Sequence, residues 1–163
     1  MSRFLAFLMG ILGAVGSSQA PAFTQQYIQN LTGRVAELQT IVDRFDRDMA
    51  DIDLSRSEGL AQCDSGEPVV TSICSGLKDD VSRYETLNSQ LAQLTTASDW
   101  ERPVLLARDF DAGILESTYA AYEPAVPATT VGGAFALAGF AALWLVTSVL
   151  LGILTAPFRR DRY

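Results

Sequence analysis

The sequence predicts an all-α membrane protein: two transmembrane helices flanking an exported, coiled-coil-like antiparallel helical hairpin, with a third short helix. Three observations carry this prediction. Val131 to Phe158 is a 28-residue run without a charge, followed at once by Arg159 and Arg160. Phe4 to Phe23 is a second, weaker apolar stretch at the other end. Between them, apolar residues recur at alternating spacings of three and four. A helix needs roughly 20 apolar residues to cross a bilayer core. A chain of 163 residues has no core large enough to hide the longer run on every side.

Charge gives the expected orientation. The formal net charge is −7, yet residues 25–128 hold 18 acids against 8 basic residues, a local balance of −10. Arg3 lies at one end and Arg159, Arg160 and Arg162 at the other. Basic flanks stay in the cytoplasm, so these four residues are topology anchors that keep both termini inside and the middle outside. An acidic body argues against nucleic acid as a partner, which requires a positive surface.

Taken in order, residues 1–24 form the N-terminal membrane segment. Ser18-Gln19-Ala20 resembles a signal-peptidase site, but Pro21 follows it directly. We read this segment as a retained helix, with cleavage after Ala20 as the alternative. Gly10, Gly13, Ala14 and Ser17 in this span, and Gly132, Ala136 and Gly139 in the last, are small residues that let helix backbones approach closely in lipid. They are expected to pack the two spans together or against a partner.

Residues 25–128 form the exported helical domain. Ile28, Leu31, Val35, Leu38, Val42, Phe45, Met49 and Ile52 make a seam of four heptads, the mark of a long helix with a narrow apolar stripe. Thirty such residues reach about 45 Å. Pro21 lies just upstream, so the membrane helix is expected to kink there and run on into the seam helix. Leu77, Val81, Tyr84, Leu87, Leu91 and Leu94 predict the facing helix. Residues 55–76, with Gly59, Gly66, Pro68 and Gly76, read as the tip of the hairpin. Pairing of the seam between two copies is the rival. Asp99 and Pro103 mark a third helix over Val104 to Tyr122. Trp100, Tyr119 and Tyr122 fit either the headgroup level of a bilayer or a small helical core. Residues 129–158 are the last span, and 159–163 a basic cytoplasmic tail.

Little in the sequence points to chemistry. Histidine is absent, which removes the commonest general base and zinc ligand. Cys63 and Cys74, the two cysteines, read as a structural disulfide in an exported domain, since the close spacing of a redox Cys-x-x-Cys pair is missing. Asp43, Asp46, Asp48, Asp51 and Asp53 lack the glycine and terminal glutamate of a calcium loop. With Arg44 and Arg47 they read as a solvated face with i,i+4 pairs Asp43–Arg47, Arg44–Asp48 and Arg47–Asp51. Asp109, Asp111 and Glu116 are imaginable as paired carboxylates, without a nucleophile or phosphate loop to accompany them. Asn30-Leu31-Thr32 matches a glycosylation pattern too short to carry weight. No catalytic residue, metal site or cofactor is expected.

The run Ser18-Gln19-Ala20-Pro21-Ala22-Phe23-Thr24-Gln25-Gln26-Tyr27 resembles the opening of an uncharacterised family of proteobacterial inner-membrane proteins, the domain of unknown function 2937. Tyr122-Glu123-Pro124-Ala125-Val126-Pro127, then Gly132-Gly133 and the last span, is similar to that family's ending. The resemblance implies a bacterial inner-membrane location and two spans, and no activity. The cysteine pair stands outside the family pattern. The function expected from this is a non-catalytic accessory or structural subunit whose partners are the bilayer and other membrane subunits. A self-assembling scaffold built on the heptad helix is the alternative, and an envelope redox protein a more distant one.

Overall fold

The computed structural model describes residues 2–63, 66–124 and 129–155. Every regular element among them is helical: α1 (Ser2–Ser18), α2 (Ala20–Ala50), α3 (Arg56–Gln62), α4 (Pro68–Thr96), α5 (Arg102–Arg108), α6 (Ala112–Ala120) and α7 (Thr130–Thr155). Among the described residues, two stretches are long and apolar enough to cross a bilayer: one within the α1–α2 run, the other α7. The basic anchors Arg159, Arg160 and Arg162 lie outside the described residues, as does Phe158. Arg3 is exposed near the start of α1.

Helix starts follow from local chemistry. Pro21, Pro68 and Pro103 each sit in the first turn of α2, α4 and α5, where a missing N–H costs nothing and φ is already helical. Between α1 and α2 only Gln19 interrupts the helix, and the Phe23 amide still reaches the Gln19 carbonyl at 2.9 Å. Gln19 itself keeps right-handed helical dihedrals (φ −79°, ψ −17°), so the chain continues from α1 into α2 as the sequence predicts. Ser55 and Glu58 form a reciprocal capping box at the start of α3, satisfying two otherwise unpaired amides. Asp111 caps α6 through the Ile114 amide at 2.9 Å.

The seam of α2 meets several partners. Tyr27, Ile28, Leu31, Val35 and Leu38 form one core with Leu87 and Leu94 of α4, Leu106 of α5 and Ile114 of α6. Tyr27 lies beside Gln90, while Leu38 and Ile41 share a groove with Asp80 and Arg83. Position along α4 falls as position along α2 rises, so the two helices run in opposite directions. Val42 is fully buried. Phe45 and Met49 face α3, where a Cβ on Gly59 would overlap the Met49 sulfur and lie 3.1 Å from the Phe45 ring.

Four expectations need correction. Ile52 is no seam residue: it is 59% exposed. The helix ends before it, in a Schellman turn with Asp53 at φ 57° and the Leu54 amide on the Met49 carbonyl at 2.9 Å, a standard way to close the last carbonyls. The tip is shorter than 55–76, because α3 fills its first half and α4 begins at Pro68. The third helix is two helices, since Asp109 is extended (φ −142°, ψ 114°) and Asp111 recaps the chain. Finally, Asp43–Arg47, Arg44–Asp48 and Arg47–Asp51 stay apart on an exposed face; the ion pair in this region is bidentate, Arg56 Nε–Asp46 Oδ1 at 2.7 Å and Arg56 Nη2–Asp46 Oδ2 at 2.5 Å. That pair ties α3 to α2 and holds the Asp46 carboxyl below its ordinary pKa, mainly through the hydrogen bond from Arg56.

The Cys63–Cys74 bridge has Cα atoms 5.6 Å apart and joins the end of α3 to the first turns of α4, closing a loop of the size expected to contribute about 3 kcal/mol through the unfolded chain. Replacing both cysteines by serine is expected to lower unfolding free energy by up to about that amount, read by denaturant titration of the detergent-solubilised chain. An unchanged midpoint would show that the staple adds nothing to α3 and α4.

Candidate functional site

Three places concentrate specific interactions: the crossing of α1 with α7, a polar centre at the base of the α2–α4 pair, and the stapled tip.

At the crossing, small residues decide the distance. A Cβ on Gly10 would lie 2.7 Å from the Phe140 ring, and one on Gly13 would overlap the Gly139 carbonyl oxygen. A Cβ on Gly139 would meet the Ser17 hydroxyl and the Gly13 carbonyl. The Ser17 hydroxyl stands 2.7 Å from the Gly13 carbonyl of its own helix and 2.6 Å from the Phe135 carbonyl of α7, sharing its proton between them. Phe7 and Phe140 meet edge to face with centroids 5.7 Å apart. Gly132 is buried and Ala14 and Ala136 are half-buried. Gly10, Gly13, Ser17 and Gly139 therefore make their contacts inside one chain, between α1 and α7. Lipid-like surroundings reward this arrangement, because close backbone approach adds dispersion where no hydrophobic force acts between helices.

The polar centre lies about two helical turns beyond Gln19. Tyr27 is fully buried. Its hydroxyl donates to Gln90 Oε1 at 2.9 Å and accepts from the Asp111 amide at 2.9 Å. Gln90 Nε2 in turn donates to the Asp109 carbonyl at 3.1 Å. The phenol and amide thus saturate one another and hold the extended link between α5 and α6. Burial pushes the Tyr27 pKa above its ordinary value. Beside it, Asp111 gives one oxygen to the α6 cap and the other to Arg83 at 3.0 Å. Asn30 donates to Ser117 and Thr118 at 2.8 and 3.1 Å, and Tyr122 donates to Gln19 at 2.8 Å while its ring meets Phe23 edge to face. Asp111 is thereby committed to holding α6, and Asn30 to fixing α6 on α2.

Sequence reasoning missed Tyr27 and Gln90. Tyr27 precedes the first seam residue, Ile28, and Gln90 precedes Leu91, so each reads as flank. The available signal was width: with α4, α5 and α6 around it, α2 needs an apolar face broader than an a/d stripe. At the tip, Cys63 is buried, whereas Val69, Val70 and Ile73 of α4 stand outward, Val69 70% and Ile73 72% exposed.

Two outcomes check these arrangements. Gly13→Val or Gly139→Val is expected to destabilise the α1–α7 pair by about 1–3 kcal/mol, the usual cost of overpacking, in steric-trap or thermal unfolding in detergent. Gly133→Ala, with nothing within 4 Å of its Cβ, should change stability by no more than about 1 kcal/mol, in the stabilising direction. Equal effects at both places would contradict the crossing. Tyr27→Phe should cost about 1–3 kcal/mol, because Gln90 and the Asp111 amide lose a buried partner. Since the folded state keeps the Tyr27 proton to higher pH than the unfolded state, unfolding releases protons above about pH 10 and stability falls there. The Tyr27→Phe variant should show a shallower fall in pH-dependent melting.

No curated protein matches the chain, and no solved structure does. A family model described as a protein of unknown function (DUF2937) matches residues 1–160. With nearly the whole length covered, from the start of α1 past the end of α7, the chain belongs to the DUF2937 family.

Proposed function

We propose that this chain is a non-catalytic accessory or structural subunit of a bacterial inner-membrane complex. Its two apolar helices anchor it, both termini lie in the cytoplasm, and the α2–α4 pair is a hairpin arm reaching into the periplasm. Support for the membrane part comes from α7, whose Leu137, Val149, Ile153 and Leu154 face outward with more than half their surface open. Such a helix is apolar all round, which suits lipid and not water.

The observation that carries the subunit reading is the far end of the arm. Val69, Val70 and Ile73 share one side of the first turns of α4 and are open, and the next residue, Cys74, is tied by the disulfide to Cys63. Three β-branched residues held rigid and exposed at the end of a pair of helices, each of which runs about 45 Å, form a contact surface at low ordering cost. The segments that flank them in sequence carry Asp51, Asp53, Glu58 and Glu67, which favours a partner with basic residues at its rim.

Self-assembly through the heptad seam is less favoured, because the seam from Ile28 to Leu38 is occupied within the chain by α4, α5 and α6. A redox role is less favoured, because Cys63 and Cys74 lack the close spacing of a Cys-x-x-Cys pair and Cys63 is buried. Mild detergent extraction of crosslinked membranes, followed by purification of the tagged full chain, tests the proposal. The wild type is expected to hold a stoichiometric partner that a Val69→Asp, Ile73→Asp variant of unchanged melting temperature loses. A wild type that elutes as a lone monomer contradicts it; a homo-oligomer favours the scaffold. A reporter enzyme active only in the periplasm, fused after Glu67, should be active; silence would reverse the topology.

A further inference from the structure

Trp100 and Val104 are large apolar residues left open beside the core. Trp100 closes the turn between α4 and α5 and is 50% exposed; Val104, on the first turn of α5, is 45% exposed. The opposite side of α5 carries the buried Pro103 and Leu106. The turn itself is well held. Arg102 donates to the Leu94 and Thr95 carbonyls at 3.0 and 3.3 Å, closing the end of α4, and pairs with Asp99 at 2.7 Å. Glu101 accepts from the Ser98 amide and hydroxyl at 3.0 and 2.7 Å. A large indole and a valine are thus fixed outward on a firm support.

Their height along the molecule follows from the helix pairing. Tyr27 lies beside Gln90, and two opposed helices rise equally per residue. Phe23 is then level with Leu94, and Ala20 with Ala97. The turn at residues 97–101 therefore lies where α1 gives way to α2. Helix α1 has 17 residues, about 26 Å, slightly less than the roughly 30 Å of a hydrocarbon core. The surface of a bilayer crossed by α1 must accordingly reach Gln19 to Phe23. Tyr122, bonded to Gln19 and packed on Phe23, marks the same level.

We propose that Trp100 and Val104 form a foot that seats the extramembrane domain in the headgroup region of the outer leaflet. The inference rests on the membrane-spanning reading of α1 and α7. Indole suits this layer because its ring is apolar and its N–H finds polar partners. Asp99 and Glu101 flank the indole, so the contact depends on ring burial and not on attraction to anionic lipid. Salt should leave it unchanged. Together with the continuous passage from α1 into α2 at Gln19, the foot gives the domain a second point of support and so fixes its tilt.

The chain has two tryptophans, Trp100 and Trp144, which makes the test clean. Trp144→Phe leaves Trp100 as the reporter, and Trp100→Phe leaves Trp144 near the middle of α7. Each variant is reconstituted as the full chain, alone, in phosphatidylcholine vesicles carrying bromine near the headgroup end or near the terminus of the acyl chains. Trp100 emission is expected to shift to the blue of a free tryptophan amide. It should lose intensity to the shallow bromolipid more than to the deep one, equally at low and high salt. Trp144 should be quenched more by the deep bromolipid. If Trp144 is quenched and Trp100 behaves like free tryptophan, open to acrylamide and untouched by bromine, the foot is wrong and the spans stand. If neither is quenched by bromolipid, the spanning reading and the foot fall together.

Discussion

The close approach of α1 and α7 is the constraint on which the rest of the molecule depends. Gly13 faces the Gly139 carbonyl, Gly10 lies against the Phe140 ring, and Ser17 bonds the backbone of the opposite helix. No side chain larger than glycine fits at Gly13 or Gly139 without moving backbone. Because the two helices run side by side in opposite directions, the segments that leave them emerge next to each other. Gln19 and Phe23 on one side then meet Tyr122 on the other. The domain between is closed at its base, and α2 can begin as an extension of α1 with its direction already set.

From that base the polar centre decides how α4, α5 and α6 sit on α2. A buried phenol with both hydrogen-bonding capacities filled is tolerated at little net cost, whereas half-filled it would be expensive. Tyr27 satisfies this only if Gln90 and the Asp111 amide are both in place. The requirement fixes the register of α4 against α2 and, through the Asp109 carbonyl, the break between α5 and α6. Apolar residues such as Leu31, Leu87 and Leu94 supply the burial, but a leucine seam tolerates sliding by a heptad in a way that a Tyr–Gln–amide junction does not. At the far end the roles are taken over by the Asp46–Arg56 pair, the close seat of Gly59 against Phe45 and Met49, and the disulfide.

Much of this was legible residue by residue. The uncharged run ending before Arg159, the heptad from Ile28 to Met49, the continuation of α1 into α2 past Pro21 and the cysteine pairing all follow from periodicity, length and elementary capping rules. What escaped was set by contacts between distant residues. Asp111 is a local helix-start signal as the cap of α6, but the extended link before it is held by Tyr27, more than eighty positions away, and by Gln90. The end of the seam at Met49 turns on Asp53 adopting a left-handed conformation, which aspartate does only in a minority of places. Arg56 choosing Asp46 over the arginines and aspartates of α2 pairing among themselves depends on α3 folding back. The small residues of α1 and α7 were legible as packing surface; that they face each other within one chain was not.

The central claim is that α1 and α7 of one chain cross at Gly10, Gly13 and Gly139, and that this crossing roots the domain. Nuclear Overhauser contacts between the Gly10 Hα protons and the Phe140 ring test it most directly, in detergent or nanodiscs, with one uniformly labelled sample and one mixing labelled with unlabelled chains. The account predicts strong contacts in the first sample that vanish when only interchain transfer is selected. Contacts that are missing, or that survive the interchain filter, would contradict it.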